Sequence, residues 1–317
     1  MDPIIANDLM TYGKTVKKDR KTQWFQYVKP YLFLLPAIAI IIFWVYKPLL
    51  QTLQYSLYKW SMVPGTQPEY VGLANFTKLF KNKDFIPALK NTVIYIAGML
   101  PFSVVLPLFI AAATHDLAGK AKNLYRALIF VPMIMPPVAV AIIFQWLLHP
   151  SNGLVNHLLL TWGITSDNIA FFANEAFAKT MIILISGWKM IGFSTLMFSS
   201  ALSNIDFQYY EAAKLDGAGS IRRFFDMTLV LLSPTVMLML MISVLFAGQW
   251  SFAYIDLLTT GGPFGSSTNI FYLMYKFAFN DLNVGLCAAT ATLFFIVFGI
   301  IALLMQFLSK KFAFYDN

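Results

Sequence analysis

Long stretches without Asp, Glu, Lys or Arg limit what this chain can fold into. Four such stretches exceed the ~20 residues that a helix needs to cross the hydrocarbon core of a bilayer, and they are residues 91–113, 127–148, 227–255 and 282–309. Two further stretches of sufficient length carry one cation each: Lys47 lies in 31–53 and Lys189 lies in 180–200. The sequence therefore predicts an all-α integral membrane protein with six spans.

The composition supports this prediction and excludes two other classes of protein. Only 12% of the residues are charged and 58% are hydrophobic, whereas about 25% of the residues of a soluble domain are charged. The net charge of +8 is spread over the segments between apolar runs, so a nucleic-acid-binding surface is not expected. The single cysteine, Cys287, excludes an intrachain disulfide and a cysteine-based metal site.

The distribution of Lys and Arg predicts which side of the membrane each connection faces. Residues 1–30 form a basic tail, residues 31–309 hold the six spans, and residues 310–317 form a second tail. Both tails, with the connections after spans 2 and 4, carry about twice as many Lys and Arg as the opposite side. By the positive-inside rule, the basic side is cytoplasmic, and we expect both termini there.

Two segments have unusual backbone signals. Span 3 contains Pro132, Pro136 and Pro137, and because proline lacks the backbone donor, this helix is expected to be kinked or broken. Packing is the commoner reason for such a kink, and a moving hinge is the alternative. Residues 257–275 are uncharged but contain TTGGPFGSSTN, whose Gly, Ser, Thr and Pro are typical of a loop. We expect no span there.

No catalytic or cofactor-binding set is visible in the sequence. His115, His149 and His157 lie in separate connections without metal-ligand spacing, and there is no phosphate-binding GxxxxGK[ST] loop. We therefore expect that the chain is not an enzyme, holds no metal or cofactor, and does not hydrolyse nucleotide itself.

The connection at residues 201–226, called the elbow below, predicts a helix, a sharp turn and a second helix. Ser203 with Asp206 fits a capping box. Gly217 tolerates the positive φ of a sharp turn, and Gly219-Ser220 can cap the start of a second helix. This pattern is typical either of a solvated connector or of an element that docks a partner on the cytoplasmic side.

A resemblance decides between these interpretations. Glu211-Ala212-Ala213, followed by three residues and Gly217, resembles the EAA loop of permease subunits in bacterial binding-protein-dependent ABC importers. The usual Ile-x-Leu-Pro continuation is replaced by Met-Thr-Leu-Val at 227–230. VGLANFTKLF at 71–80 and LLTTGGP at 257–263 resemble the carbohydrate-uptake branch, close to the maltose and glycerol-phosphate permeases. The similarity runs from about residue 31 to 313.

The resemblance implies the ABC importer permease fold, a place in the bacterial cytoplasmic (inner) membrane, and several partners. These are membrane lipid, a second homologous permease subunit, two ATPase subunits that bind ATP and Mg, and an extracytoplasmic solute-binding protein. The resemblance also implies a coupling loop that fits a cleft on the ATPase. The residues expected to couple there are Glu211, Ala212, Ala213, Asp216, Gly217, Arg222 and Arg223.

Span 4 and the end of span 5 contain the candidate substrate path. Lys189 is a candidate because an ion within the membrane normally faces protein or water; its alternative role is structural pairing. Aromatic faces with amide and hydroxyl groups suit carbohydrate recognition, and span 5 ends with Gln249, Trp250, Ser251 and Tyr254. For the aromatic residues, anchoring at the membrane interface is the alternative.

We therefore expect half of a sugar or oligosaccharide importer that works by alternating access. The sequence specifies neither the sugar nor its charge, so it is compatible with a neutral or an anionic substrate. The rival interpretation is a self-sufficient secondary transporter or channel for a small polar solute. The six predicted spans contain no Asp or Glu, which argues against proton coupling.

Overall fold

A computed structural model describes residues 20–115, 117 and 119–314, without the side chains of 20–28 and 122. Most of the tail predicted at 1–30 and the last three residues of the tail predicted at 310–317 lie outside this part of the chain. The chain divides into two compact units, Met1–Gln54 and Tyr55–Asn317. The first contains the first span, and the second contains the other spans and the elbow.

The described part of the chain is almost entirely helical. Its α-helices, numbered α1 to α15 in chain order, are Arg20–Ile41, Lys47–Tyr55, Ala74–Lys81, Phe85–Leu100, Leu106–Ala113, Gly119–Ile134, Pro137–Leu147, Leu154–Thr161, Glu175–Ser203, Phe207–Leu215, Ser220–Arg223, Leu229–Leu231, Ser233–Tyr254, Ile270–Tyr275 and Val284–Phe312. Two short strands, β1 (Tyr58–Lys59) and β2 (Glu69–Tyr70), pair antiparallel before span 2. The sequence did not indicate this hairpin.

The apolar helices agree with the predicted spans. Among the described residues, five helices are long and apolar enough to cross a membrane, and they are Lys29–Tyr55, Phe85–Ala113, Glu175–Ser203, Ser233–Thr259 and Val284–Phe312. A sixth span results when α6 and α7 are counted as one broken helix. These are spans 1 to 6 below, with the broken helix as span 3. The predicted fold class, an all-α six-span membrane protein, is confirmed.

Span 3 is broken at its prolines, as predicted. Its two halves, α6 and α7, meet at an angle of 93°. Pro136 has extended backbone angles (φ −57°, ψ 137°) and precedes the first residue of α7, Pro137. A proline at the first turn of a helix costs no intrahelical hydrogen bond, so this sequence ends one helix and begins another.

In the described part of the chain, five π-helical segments interrupt or extend the α-helices, and no pattern in the sequence indicated them. They are Ile42–Tyr46, Pro101–Val105, Phe224–Thr228, Ile255–Thr259 and Lys276–Asn280. A π-helix carries an i→i+5 hydrogen bond and shifts the faces that the following residues present. The segment at 101–105 lies inside span 2, and the one at 255–259 extends span 5 by one turn.

Two predicted boundaries were wrong. Span 5 does not begin at Met227, because a turn at Leu232 separates the short helix α12 from the span, and Pro234 lies in its first turn. The run at 257–275 is not all loop. Its first three residues continue span 5, and Asn269 caps the helix α14 by accepting a hydrogen bond from the Tyr272 amide at 2.8 Å. Residues 260–269 are loop, as predicted.

Spans 2, 4 and 5 supply most of the buried core of the second unit. Near the elbow, Val104, Leu108, Phe198, Leu202 and Met239 are buried together. A second buried group, which includes Tyr95, Val140, Ile182, Tyr254 and Tyr272, lies where α7 and α14 pack against the same spans.

A glycine brings spans 3 and 4 into close contact. A Cβ on Gly192 of span 4 would lie 2.1 Å from the backbone oxygen of Ile129 in span 3. Only a glycine permits this approach of two backbones. The contact joins α6 to span 4.

Candidate functional site

The elbow folds as helix, turn and helix. α10 begins after Asp206, whose side chain accepts a hydrogen bond from the Gln208 amide at 2.9 Å. The predicted capping box at Ser203 was wrong, because Ser203 is the last residue of α9 and its hydroxyl donates to the Ser199 carbonyl. Since that serine belongs to the preceding helix, Asp206 alone caps α10.

Gly217 makes the turn of the elbow. Its φ is +74°, a conformation that costs residues with a Cβ roughly 1–2 kcal/mol. The amide of Ala218 closes the end of α10 by donating to the Ala213 carbonyl at 2.9 Å. A Cβ at Gly217 would meet no atom within 4 Å, so backbone conformation, and not space, requires glycine here.

One face of the elbow is free and the other is held by the bundle. Glu211, Ala212, Asp216 and Gly217 are exposed, whereas Ala213 is buried. The exposed set includes the acidic residue and the turn of the EAA motif. A partner protein can therefore reach these groups without rearrangement of the elbow.

The buried side of the elbow contacts span 2 and the segment that leads into span 5. The Tyr210 hydroxyl lies 3.1 Å from the Thr228 hydroxyl, within hydrogen-bond distance. The Phe224 ring stacks on Phe109 of span 2 with centroids 5.6 Å apart. Sequence reasoning missed Tyr210, Thr228 and Phe109, because nothing in the chain pattern relates residues so far apart.

The two arginines of the elbow differ in surroundings. Arg222 forms an i,i+4 ion pair with Asp226 at 3.2 Å, and its side chain is 77% exposed. Arg223 is half-buried and donates to the Ser220 hydroxyl at 3.2 Å. Arg222 is thus open to a partner, whereas Arg223 lies toward the bundle.

Lys189 lies beside the break in span 3. Its Nζ donates a hydrogen bond of 2.6 Å to the backbone carbonyl of Met135, which lies between the two halves of that span. A helix break leaves carbonyls without intrahelical donors, and inside a membrane another group must satisfy them. In this conformation, the ammonium group serves that carbonyl.

The candidate residues at the end of span 5 do not form one surface. Gln249 is exposed and Trp250 is half-buried, stacked on Phe246 with centroids 5.9 Å apart. Ser251 is fully buried, and Tyr254 is 2% exposed in the core. Their side chains therefore divide between an accessible face and the packed interior of the bundle.

Ser251 takes part in a buried hydrogen-bond network. Its hydroxyl donates to the Ala247 carbonyl at 3.0 Å and accepts from the side-chain amide of Asn269 at 3.0 Å. The same amide donates to the Gly248 carbonyl at 2.7 Å. These contacts tie span 5 to the loop at 260–269.

The loop at 260–269 is also anchored to span 2. The Asn91 side-chain amide donates to the carbonyls of Ser266 (2.6 Å) and Thr268 (2.8 Å), and the Tyr95 hydroxyl donates to the Ser267 carbonyl (2.9 Å). Phe264, within this loop, is 97% exposed. A fixed loop thus presents a large apolar side chain to its surroundings.

The described residues contain no group of three or more His, Cys, Asp or Glu that could hold a metal ion. The chemistry of this site is therefore polar and aromatic contact within a membrane bundle, with an accessible helical elbow at one end. These features define a multi-pass membrane protein with an accessible helical elbow.

Comparison with known proteins identifies the family. Residues 103–313 match the family described as binding-protein-dependent transport system inner membrane component. The chain belongs to this family, so it is a multi-pass permease subunit of an ABC importer in the inner membrane, and the family resemblance of the EAA motif is confirmed.

Several relatives cover almost the whole chain. The sn-glycerol-3-phosphate transport system permease protein UgpA of Pectobacterium atrosepticum is 31% identical over 283 residues, which cover 89% of this chain and 94% of the relative. The probable ABC transporter permease protein YurN of Bacillus subtilis is 31% identical over 287 residues, covering 89% and 95%.

Solved structures share the fold. A chain of a bacterial ABC transporter involved in the import of the acidic polysaccharide alginate superposes with a TM-score of 0.80 at 25% identity, covering 92% of this chain and 99% of that chain. A chain of the alginate transporter in complex with an alginate pentasaccharide-bound periplasmic protein gives a TM-score of 0.79 at 25% identity, covering 94% and 98%.

Proposed function

We propose that this chain forms half of the translocation path of an ATP-driven importer for a sugar or oligosaccharide. The relatives support this substrate class, since they include a sn-glycerol-3-phosphate permease and an importer of alginate. Both named solutes are anionic, which favours an anionic or phosphorylated carbohydrate. A second homologous permease would supply the other half of the path.

The observation that carries the coupling role is the two-sided elbow. Its Glu211 and Gly217 are exposed, while Tyr210 contacts Thr228 in the segment that leads into span 5 and Phe224 stacks on Phe109 of span 2. A force applied by an ATPase to the exposed face is therefore transmitted to the spans that surround the path. ATP and Mg are bound by the ATPase subunits, and this chain needs no cofactor.

The transport cycle follows from this connection. Closure of two ATPases around ATP moves the elbows, and the attached spans tilt to open the central path outward; hydrolysis reverses the movement. A solute-binding protein delivers the solute at the opposite end. Spans 4 and 5 line the path, with Lys189, Gln249, Trp250, Ser251 and Tyr254 as its candidate residues.

A matched pair of glycine substitutions tests the coupling role. Gly217→Val forces a β-branched residue into φ +74°, whereas Gly219 has φ −66° and an added Cβ there meets no atom within 4 Å, so Gly219→Val adds only bulk. We expect Gly217→Val to abolish solute-stimulated ATP hydrolysis in the reconstituted transporter and Gly219→Val to retain it. Equal rates in both variants would reject the elbow as the coupling element.

Orientation requires its own test. We place the elbow and both termini in the cytoplasm and the loop at 260–269 outside. In a Cys287→Ala background, an impermeant thiol reagent should label Gly265→Cys from outside, and Leu215→Cys only after the membrane is opened. Both positions are exposed. External labelling of Leu215→Cys would reverse the orientation.

A further inference from the structure

A pocket of about 350 Å³ lies between the elbow and the elbow-side ends of spans 2 and 4. Its lining includes Lys214 and Arg223 of the elbow and His115, which follows span 2. None of the described residues that line it is acidic. The elbow's own ion pair, Arg222–Asp226, does not contribute to the lining, so no carboxylate among the described lining residues neutralises these basic groups.

Two guanidinium groups beside the pocket each have an N–H that finds no acceptor among the described residues. These are the Nε atoms of Arg223 and Arg126, and both are buried. Arg126 lines a small cavity that shares His115 with the pocket. An N–H of a charged group that is buried and unpaired is costly, and native proteins usually supply an acceptor, a water or an ion. The basic wall therefore favours a ligand that is anionic and rich in acceptors.

The rest of the wall has a different character. Phe207, Phe224 and Leu202 line the pocket beside the basic groups, and Leu202 lies in the last turn of span 4. A pocket at the end of two spans whose lining combines basic and apolar side chains matches a phospholipid, whose phosphate lies next to its glycerol and acyl chains.

We propose that this pocket binds the phosphate of an anionic phospholipid from the leaflet at the elbow end. Basic pockets between spans on the cytoplasmic side are suited to anionic head groups. The bound phosphate bridges Lys214 and Arg223 to His115, so lipid composition would affect how firmly the elbow is held against span 2. Only the naming of this leaflet as cytoplasmic rests on the proposed function.

Direct lipid binding tests the proposal without a transport assay. The assembled transporter, purified in detergent, is exposed to phosphatidylglycerol or phosphatidylcholine, and native mass spectrometry counts the retained lipid molecules. The variants are Lys214→Gln and Arg223→Gln. Lys120→Gln is the matched control, since Lys120 is an exposed lysine that follows span 2 and does not line the pocket.

We expect phosphatidylglycerol to be retained in preference to phosphatidylcholine. Each pocket substitution should weaken its retention about fivefold, the effect of removing one basic residue near an anionic head group, and Lys120→Gln should retain it fully. Lys214 is exposed on its helix, so that variant keeps the test valid if Arg223→Gln disturbs the elbow.

Competition identifies the source of the phosphate. If phosphatidylglycerol stays bound when inorganic phosphate is added, the result supports a lipid as the ligand of the pocket. Displacement of phosphatidylglycerol by inorganic phosphate would indicate that the pocket binds a soluble phosphate compound, and it would overturn the proposal of a lipid site. Equal retention of both lipids, or equal retention by all three variants, would overturn the site altogether. These outcomes do not depend on ATP hydrolysis, so loss of the proposed transport function would be seen separately.

Discussion

The Lys189 ammonium group of span 4 and the Met135 carbonyl of span 3 are joined by a hydrogen bond of 2.6 Å. This contact gives the charge a structural role, because it satisfies a carbonyl that the break at Pro136 releases from the helix. It also places the charge next to the bent element of the bundle. A residue that bridges such a break can affect transport without touching the solute.

Lys189→Met removes the donor and retains much of the apolar stem. We expect a loss of about 1–3 kcal/mol, since the half-buried carbonyl of Met135 is left unpaired, measured as a lower thermal unfolding temperature of the purified transporter. Transport should fall for any solute. Lys179→Met, in the same helix, is the control. Normal unfolding with a selective loss of anionic solutes would instead assign Lys189 to solute binding.

Tyr254 tests the other side of the substrate path. Its hydroxyl is buried and has no hydrogen-bond partner, and its ring packs in the core. Tyr254→Phe should therefore unfold at the wild-type temperature, whereas Tyr254→Ala should lose about 3–5 kcal/mol through the cavity it leaves.

The transport rate of Tyr254→Phe then distinguishes a role in solute binding from a role in core packing. A lower transport rate at unchanged stability indicates that the hydroxyl meets the solute in another state of the cycle. A normal rate together with normal stability would remove Tyr254 from the path and leave it as a core residue.

Gly192 tests the contact between spans 3 and 4. A methyl group there would lie 2.1 Å from the Ile129 carbonyl oxygen, and backbone cannot move aside as a flexible side chain can. Gly192→Ala should destabilise the protein by at least about 1–3 kcal/mol, the usual cost of overpacking. Gly299→Ala, whose added Cβ meets nothing within 4 Å, should unfold at the wild-type temperature or above. Similar unfolding temperatures for both variants would contradict the packing.

Local patterns predicted the parts of this fold that short-range chemistry determines. The uncharged runs located the spans, Pro136 and Pro137 located the break, and Gly217 located the turn of the elbow. Each of these features follows from residues adjacent in the chain. The same reasoning placed Ser203 in a capping box, because sequence alone does not say where the preceding helix ends.

Contacts across the bundle were beyond sequence reasoning. The Asn91 amide reaches carbonyls about 175 residues further along the chain, and the Lys189 ammonium reaches a carbonyl 54 residues earlier. Ser251 was predicted from its polarity to line the path, but only the packing reveals that Asn269 occupies its hydroxyl. Which polar groups meet is determined by the tertiary fold, and a single sequence does not display it.

Phe264 tests the proposed delivery of solute by an extracytoplasmic binding protein. Its side chain is 97% exposed, in a loop fixed by Asn91, Tyr95 and Asn269. An exposed aromatic side chain on a fixed loop is suited to a contact with a partner protein, because aromatic residues are enriched at such contacts. The loop loses little further conformational freedom on binding, because its backbone is already anchored.

Phe264→Ala removes this side chain without disturbing the core, so the purified transporter should unfold at its normal temperature. We expect stimulation of ATP hydrolysis by the solute-loaded binding protein to weaken at least tenfold in half-saturating concentration, as for loss of a contact worth more than about 1.4 kcal/mol. Phe279→Ala removes another exposed phenylalanine, 61% exposed and outside this loop, and should leave the stimulation unchanged. Unaltered stimulation in Phe264→Ala would show that the binding protein docks elsewhere. An equal loss in both variants would show that the binding protein contacts a broad apolar surface and not Phe264 specifically.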